Sequence, residues 1–273
     1  MQPAQLSFTR RILWVLAVTL LVIGAWFSQL DTNATQLADA GLKRALISFA
    51  SARTLNAVIS VAQGTEVAVQ PAGVGVTFTP GQVLDPLNDL VEQFSNLMLI
   101  ASVSFGVQKV LISIGAYWLV PLLLTITAAV WAIFYLRQQT TSAWLTRILM
   151  ILLLVRFAIP VVILGTDTLF QKFMSTDYQS SQQAITTASG DLGELTAPVP
   201  EPKAEQGVMD KLKGWWSENT NVKLRYEELK QTAENAIEHI IKLMAIFLLQ
   251  TLLLPLLLLW ILYGLARRAF EWT

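Results

Sequence analysis

Arg156 falls halfway along an apolar run, Ile148 to Gly165, that holds no other charged residue. A charge at the middle of a hydrocarbon layer costs roughly 2.5–3.5 kcal/mol on insertion scales, so an arginine there needs partners. The other long apolar runs, Ile12 to Leu30, Trp118 to Leu136 and Ile240 to Leu265, contain no Asp or Glu. Counting inward from the ends of those runs puts Thr19, Thr125, Thr127, Gln250 and Thr251 near the depth of Arg156, a set of hydroxyl and amide oxygens. Proline adds acceptors, because each ring removes the hydrogen bond to the carbonyl four residues before it: Pro160 frees that of Arg156 and Pro255 that of Thr251, with a kink expected at each. The cluster suits two uses. It can fasten helices together through several oxygens, or it can present a positive charge to a passing anion or a gate. If it only fastens, Arg156→Met should be tolerated, whereas Arg156→Lys, which keeps the charge and loses the planar fork, should cost more.

Other residues able to do chemistry are few. Glu227 and Glu228 are adjacent, so on a helix they point in different directions and belong to a charged face. Glu234, Glu238 and His239 could hold a metal or pass a proton, with the two carboxylates one turn apart, but a single histidine is a thin basis for a metal site and a solvated face is the simpler reading. Cysteine is absent and the phosphate-, dinucleotide- and hydrolase-type motifs are missing. The reading is therefore of no catalytic, cofactor-binding or metal-binding residues. Lys plus Arg and Asp plus Glu both number 19, which leaves no basic excess for nucleic acid.

The elements that must position Arg156 are membrane helices. Ile240 to Leu265 is long enough, at 1.5 Å per residue, to cross a layer of about 30 Å, and Trp260, Tyr263, Arg267, Arg268 and Trp272 close it with interfacial residues. Arg10 and Arg11 precede Ile12 to Leu30, a run longer than a cleavable signal usually has and read as a signal anchor. Leu97 to Ile114 is nearly apolar enough to be a fifth span, but Gln108-Lys109 interrupts it. Arginine placement decides against it. With four spans, Arg10, Arg11, Arg137, Arg147, Arg267 and Arg268 share one side, which the positive-inside rule makes the cytoplasm.

This divides the chain into residues 1–30 (N-terminus and first span), 31–117 (outer), 118–165 (second and third spans), 166–239 (outer) and 240–273 (last span and C-terminus). The first outer segment predicts an amphipathic helix over Leu37 to Ile59, packing through Leu42, Leu46 and Phe49, then a β-hairpin over Thr65 to Thr79 turning at Pro71-Ala72-Gly73. Asp85-Pro86 reads as the start of a long helix whose stripe is Leu87, Leu90, Val91, Phe94, Leu97, Met98, Ala101 and Phe105. In the second outer segment, Ser189 to Gln206 reads as a flexible loop, and Lys211 to Trp216 as a turn at the headgroup level or a packed tryptophan pair. Val222, Tyr226, Leu229, Ala233, Ala236 and Ile240 then mark a helix face, expected to pack on the Leu87–Phe105 stripe and to run straight into the last span.

The fold class expected is an all-α integral membrane protein: four transmembrane helices with a mostly helical extracytoplasmic domain carrying a small β-hairpin. In a bacterium this is a multi-pass inner-membrane protein with both termini cytoplasmic and periplasmic domains. A non-enzymatic scaffold, assembly factor or subunit of a membrane complex is the favoured function, with lipid bilayer and other membrane or periplasmic subunits, or a second copy, as partners. A channel or transporter component built around Arg156 is the alternative, and an enzyme acting on lipid or cell wall the third.

Overall fold

The computed structural model describes residues 3–63, 67–69, 76–78, 81–137, 143–195 and 208–271. They form eight α-helices: α1 (Pro3–Ala25), α2 (Gln29–Gln63), α3 (Gly81–Ala116), α4 (Leu119–Leu136), α5 (Ala143–Phe173), α6 (Ser175–Leu195), α7 (Val208–Leu248) and α8 (Leu254–Glu271), with a π-helical turn, Leu249–Leu253, between the last two. The turn of the expected hairpin, at Pro71 to Gly75, lies outside the described residues. What is described is a ladder of three residue pairs, Val67–Val69 against Val76–Phe78. So short a ladder does not support the hairpin as an element of the fold, because two isolated strands are marginal in water.

Contacts divide the chain into two compact units, one of Met1–Lys43, Ser102–Lys172 and Leu249–Thr273, the other of Arg44–Ala101 and Phe173–Leu248. The second unit is built on seams with an alternating three- and four-residue step, the spacing that keeps side chains of neighbouring helices meeting. On α2 the buried positions are Ala45, Ser48, Ala52, Leu55 and Ile59; on α3, Leu84, Leu87, Val91, Phe94, Met98 and Ala101. The α3 stripe follows the predicted one, with Leu84 added and Leu90 and Leu97 only half-buried. That of α2 does not: Leu46 is 48% exposed, and Leu42 and Phe49 are only half-buried. Small residues let helix axes approach closely, so the alanine and serine face is buried and the larger leucine is left outside. Pro86, expected at the first helical position, sits inside α3, which begins at Gly81.

Helix α6 was not expected from a segment so rich in Ser, Thr and Gln, and it includes Ser189 to Leu195 of the expected loop; residues 196–207 lie outside the described residues. Its seam is Tyr178, Ser181, Ile185, Ala188 and Leu192. The Ser48 hydroxyl donates to Gln182 Oε1 (2.7 Å), whose amide donates to Ser51 (2.7 Å), so α6 is tied to α2 by side-chain hydrogen bonds. Against α7 it places Tyr178 edge-on to Phe247 and Ser181 Oγ 3.1 Å from His239 Nδ1. Burial pushes the Tyr178 hydroxyl above its ordinary pKa. On α7 the buried positions Leu229, Ala233, Ala236, Ile240, Leu243 and Phe247 continue the predicted stripe, though its recorded partner is α6. The expected turn at Lys211 to Trp216 is instead helical, since α7 begins at Val208; the side chains there lie outside the described residues.

Among the described residues four helices are long and apolar enough to cross a membrane, Leu84–Ala116, Leu119–Leu136, Ala143–Phe173 and Glu227–Ala269, while α1 and α2 pass only jointly, across a bend of 59°. This differs from the set expected from sequence, which left out Leu97 to Ile114 and took Ile12 to Leu30 as one span. The packing along α5 explains the difference. Leu149, Leu152, Leu153 and Phe157 of α5 pack with Val18 and Ala25 of α1 and with Leu124, Ala128 and Trp131 of α4. Further along, Ile159 and Ile163 pack with Ala34 and Ala38 of α2 and Ile112 of α3. Helices α1 and α2 therefore follow one another along α5, and α3 and α4 follow one another in the reverse direction, joined end to end through Tyr117 and Trp118. The join is almost helical: Val120 N–H bonds the Tyr117 carbonyl (2.9 Å) and Leu122 N–H that of Trp118 (3.2 Å). By length and apolarity α3 is itself a candidate span, against the expectation from sequence, and its contacts set it end to end with α4.

Close approach at these joints depends on glycine. A Cβ on Gly115 would stand 2.9 Å from the Val155 carbonyl oxygen, which belongs to a helix backbone and cannot step aside, and one on Gly41 would collide with the Phe105 ring. We expect Gly115→Ala to cost about 1–3 kcal/mol through forced displacement of α3 from α5. Thermal unfolding of the purified variant against wild type checks this; an unchanged midpoint would show that the helices part without cost.

Candidate functional site: a buried ion pair at two helix breaks

Arg156 is 2% exposed, on the inward face of α5. It stands midway between the exposed Trp144 and Thr168, about 18 Å along the helix from each. The exposed residues of α5 between Arg147 and Thr168, namely Ile151, Val155 and Val161, are apolar, and polar residues stand exposed on either side of them, Arg147 before and Gln171 and Lys172 after. Mid-depth in the apolar stretch is thus where the charge sits.

Its partner is a carboxylate that the sequence reading assigned to the outer segment. Arg156 donates from its two terminal nitrogens to the two oxygens of Asp31, at 2.6 and 2.7 Å, and from Nε to the carbonyl of Ala25 at 2.9 Å. The fork is bidentate and planar, the strongest geometry for this pair, and the Phe157 ring lies 5.5 Å from the guanidinium carbon. Asp31 is 8% exposed and occupies the first turn of α2, where the positive end of the helix dipole also favours a carboxylate. The break between α1 and α2 makes both contacts possible. It ends α1 at Ala25, whose carbonyl then lacks the continuing helix, and it restarts the helix at Gln29 so that Asp31 faces α5.

The predicted oxygen set is not around the guanidinium. Thr19 is exposed and donates to the Val15 carbonyl of its own helix (2.8 Å). Thr125 donates to the Pro121 carbonyl (2.7 Å) and accepts from the Trp26 indole (3.1 Å). Thr127 is half-buried on α4. Gln250 and Thr251 lie in the π-turn that precedes Pro255, and Gln250 lines a separate small cavity with Thr166, Asp167 and Gln108. That cavity, about ten residues further along α5, has ≈ 10 Å³ of room, near the minimum for one water, and Gln250 Oε1 and Thr166 Oγ1 are its buried acceptors without a partner among the described residues. Depth counting failed for Gln250 and Thr251 because the last helix extends well beyond its apolar run. The two prolines behave differently: Pro160 is buried within a continuous α5, whereas the backbone before Pro255 rewinds into the π-turn.

Missed altogether were Asp31, Ala25 and Trp26. A signal existed in the sequence: an aspartate one residue beyond the apolar run Ile12 to Leu30, in a chain whose buried arginine lacked a counter-ion.

Beside the ion pair is a cavity of ≈ 460 Å³, lined by Trp26, Ser28, Asp31, Thr32, Thr35 and Gln36 from α1, α2 and the break between them, by Ser113 and Ala116 of α3, by Trp118 and by Arg156 itself. Hydroxyls, an amide and two indoles, interleaved with Ala25, Ile112 and Pro121, surround a charge pair of no net charge. The remaining candidates are dispersed in the other unit. His239 meets Ser181, Glu238 pairs with Lys242 at 2.7 Å and Glu234 with Lys230 at 4.0 Å, while Glu227 and Glu228 are exposed. No family model, curated protein or solved structure matches the chain.

Proposed function

We propose that this is a non-enzymatic multi-pass membrane protein, a scaffold, assembly factor or subunit of a membrane complex, that acts through the helices of its second unit. In this reading it resides in a bacterial inner membrane with both termini in the cytoplasm and the second unit in the periplasm. The observation that carries the reading is on α2, where Leu46 and Ile47 are 48% and 44% exposed on the face opposite the alanine seam. Adjacent large apolar side chains left outside a well-seamed helical unit are what a partner subunit or a second copy would cover. Arg156 supports it too, since all three of its nitrogens are engaged within the protein. A photo-crosslinker at Leu46 or Ile47 should capture a discrete membrane or periplasmic protein, or a dimer, in native membranes; capture only of lipid would count against the proposal.

The second reading, a channel or transporter component, is favoured by the ≈ 460 Å³ cavity at the ion pair. Broken helices around a mid-membrane polar site are how transporters admit irregular backbone at that depth.

Orientation is testable independently. The native chain has no cysteine, so single thiols report cleanly. Cysteines at Thr141, in the link after α4, and at Thr187, on α6, should react from opposite faces of the membrane, Thr141→Cys only from the cytoplasm. Reaction of both from one side would sink the four-path topology.

A further inference from the structure

The cavity at the ion pair continues as a polar track along the membrane unit. From Asp31 the polar positions of α2 that are exposed or half-buried on that side are Thr32, Thr35, Gln36, Asp39 and Lys43, recurring within one to four residues and bordered by the half-buried Ala40 and Leu42. Facing them on α3 are Ser113 and Lys109, the latter paired with Asp39 at 2.5 Å while both remain partly exposed. The neighbouring outer face of α3 is the opposite in character: Val103, Val107, Val110 and Ile114 are all more than half exposed and suit lipid. Charged and amide side chains exposed beside such a face require water, because hydrocarbon would leave them unsolvated. At its inner end the track stops. Below the pair lies the cluster of Val18, Ala25, Leu124, Ala128, Trp131 and Leu149, all buried and apolar.

We propose that this track is a water-filled vestibule, entered at the Lys43 and Lys109 end and closed at the Arg156–Asp31 pair, which admits small polar solutes without selecting their charge. The lack of selection follows from pairing. Inside the mouth each charge is answered, Arg156 by Asp31 and Lys109 by Asp39, and Lys43 stands exposed at the mouth itself, so beyond that entrance the track presents no net field of the kind that concentrates one sign of ion. Two of the five guanidinium N–H groups are not used by the recorded bonds, and each Asp31 oxygen keeps a lone pair, so a solute reaching the end finds donors and acceptors together. This goes beyond the scaffold reading and does not depend on it.

The experiment uses the full chain in nanodiscs, with single cysteines at Thr32, Gln36 or Ser113 in the track and at Val110 or Leu20 on lipid-facing surfaces, each checked for a wild-type elution profile and melt. A cationic and an anionic methanethiosulfonate reagent are applied, and every rate is divided by that reagent's rate with a free thiol in water. Thiols in an apolar layer remain protonated and unreactive, so track positions should react at least about tenfold faster than Val110→Cys and Leu20→Cys. The two normalised rates at each track position should agree within about threefold, as expected where no net field is present. Track thiols as slow as the lipid-facing ones would overturn the vestibule. A preference of about tenfold or more for the anionic reagent would overturn its neutrality and make Arg156 an anion site. Three track positions on two helices keep the test alive if one variant does not fold.

Discussion

Replacing Arg156 by methionine is expected to destabilise the protein by about 3–5 kcal/mol, the cost of leaving a buried carboxylate without its counter-ion. This reverses the expectation drawn from sequence, in which methionine was to be tolerated. There the arginine had only neutral oxygens around it, and its removal would have stranded nothing. With Asp31 8% exposed and bound through both oxygens, the charge left behind is a full one. The reversal has a signature. Asp31→Leu alone should be about as damaging as Arg156→Met, whereas the double variant that carries both should recover most of the loss, because removing both partners of a buried pair is often neutral. Arg156→Lys should fall between wild type and Arg156→Met, since it keeps the charge but cannot serve both oxygens of Asp31 and the Ala25 carbonyl at once. Unfolding midpoints of the four variants in one detergent or nanodisc system decide the matter. Additive losses in the double variant would mean that the two residues do not act as a pair.

Leu229→Asp should be comparably severe for a different reason. Leu229 is 3% exposed on the α7 seam, and an aspartate there buries a carboxylate among apolar residues, at about 3–5 kcal/mol. The control is Leu46→Asp on α2. Nearly half exposed, it should change stability by no more than about 0.5 kcal/mol. If Leu46 is where a partner docks, the same substitution should abolish capture while leaving the melt unchanged. Equal destabilisation by both would show that Leu46 is packed, and the scaffold reading would lose its surface.

Much of this architecture could be read from the chain alone. Length and apolarity identify membrane helices without any tertiary knowledge, because hydrocarbon demands a fully hydrogen-bonded segment of a minimum length. Apolar periodicity located the α3 stripe from Leu87 to Phe105 and that of α7 from Leu229 to Ile240, where large buried side chains such as Leu87, Phe94, Leu229 and Ile240 anchor the pattern. It failed on α2, where the buried face is Ala34, Ala38, Ala45, Ser48 and Ala52. Small residues carry little hydrophobic signal, and their burial follows from how closely another helix approaches. The mid-membrane arginine was legible as a residue in need of partners. Which partners it has was not, since Asp31 ends the apolar run and every hydropathy argument places it outside. Only the bend of 59° between α1 and α2 returns that aspartate to the level of Arg156 and opens the cavity beside it, and a bend at Trp26 to Ser28 is set by what the two helices pack against. Local sequence therefore determined the long apolar helices, through interactions within a few turns, but not the Ser-, Thr- and Gln-rich helix α6, which is tied to α2 by side-chain hydrogen bonds, whereas the ion pair joins residues 125 positions apart and exists only once three helices have met.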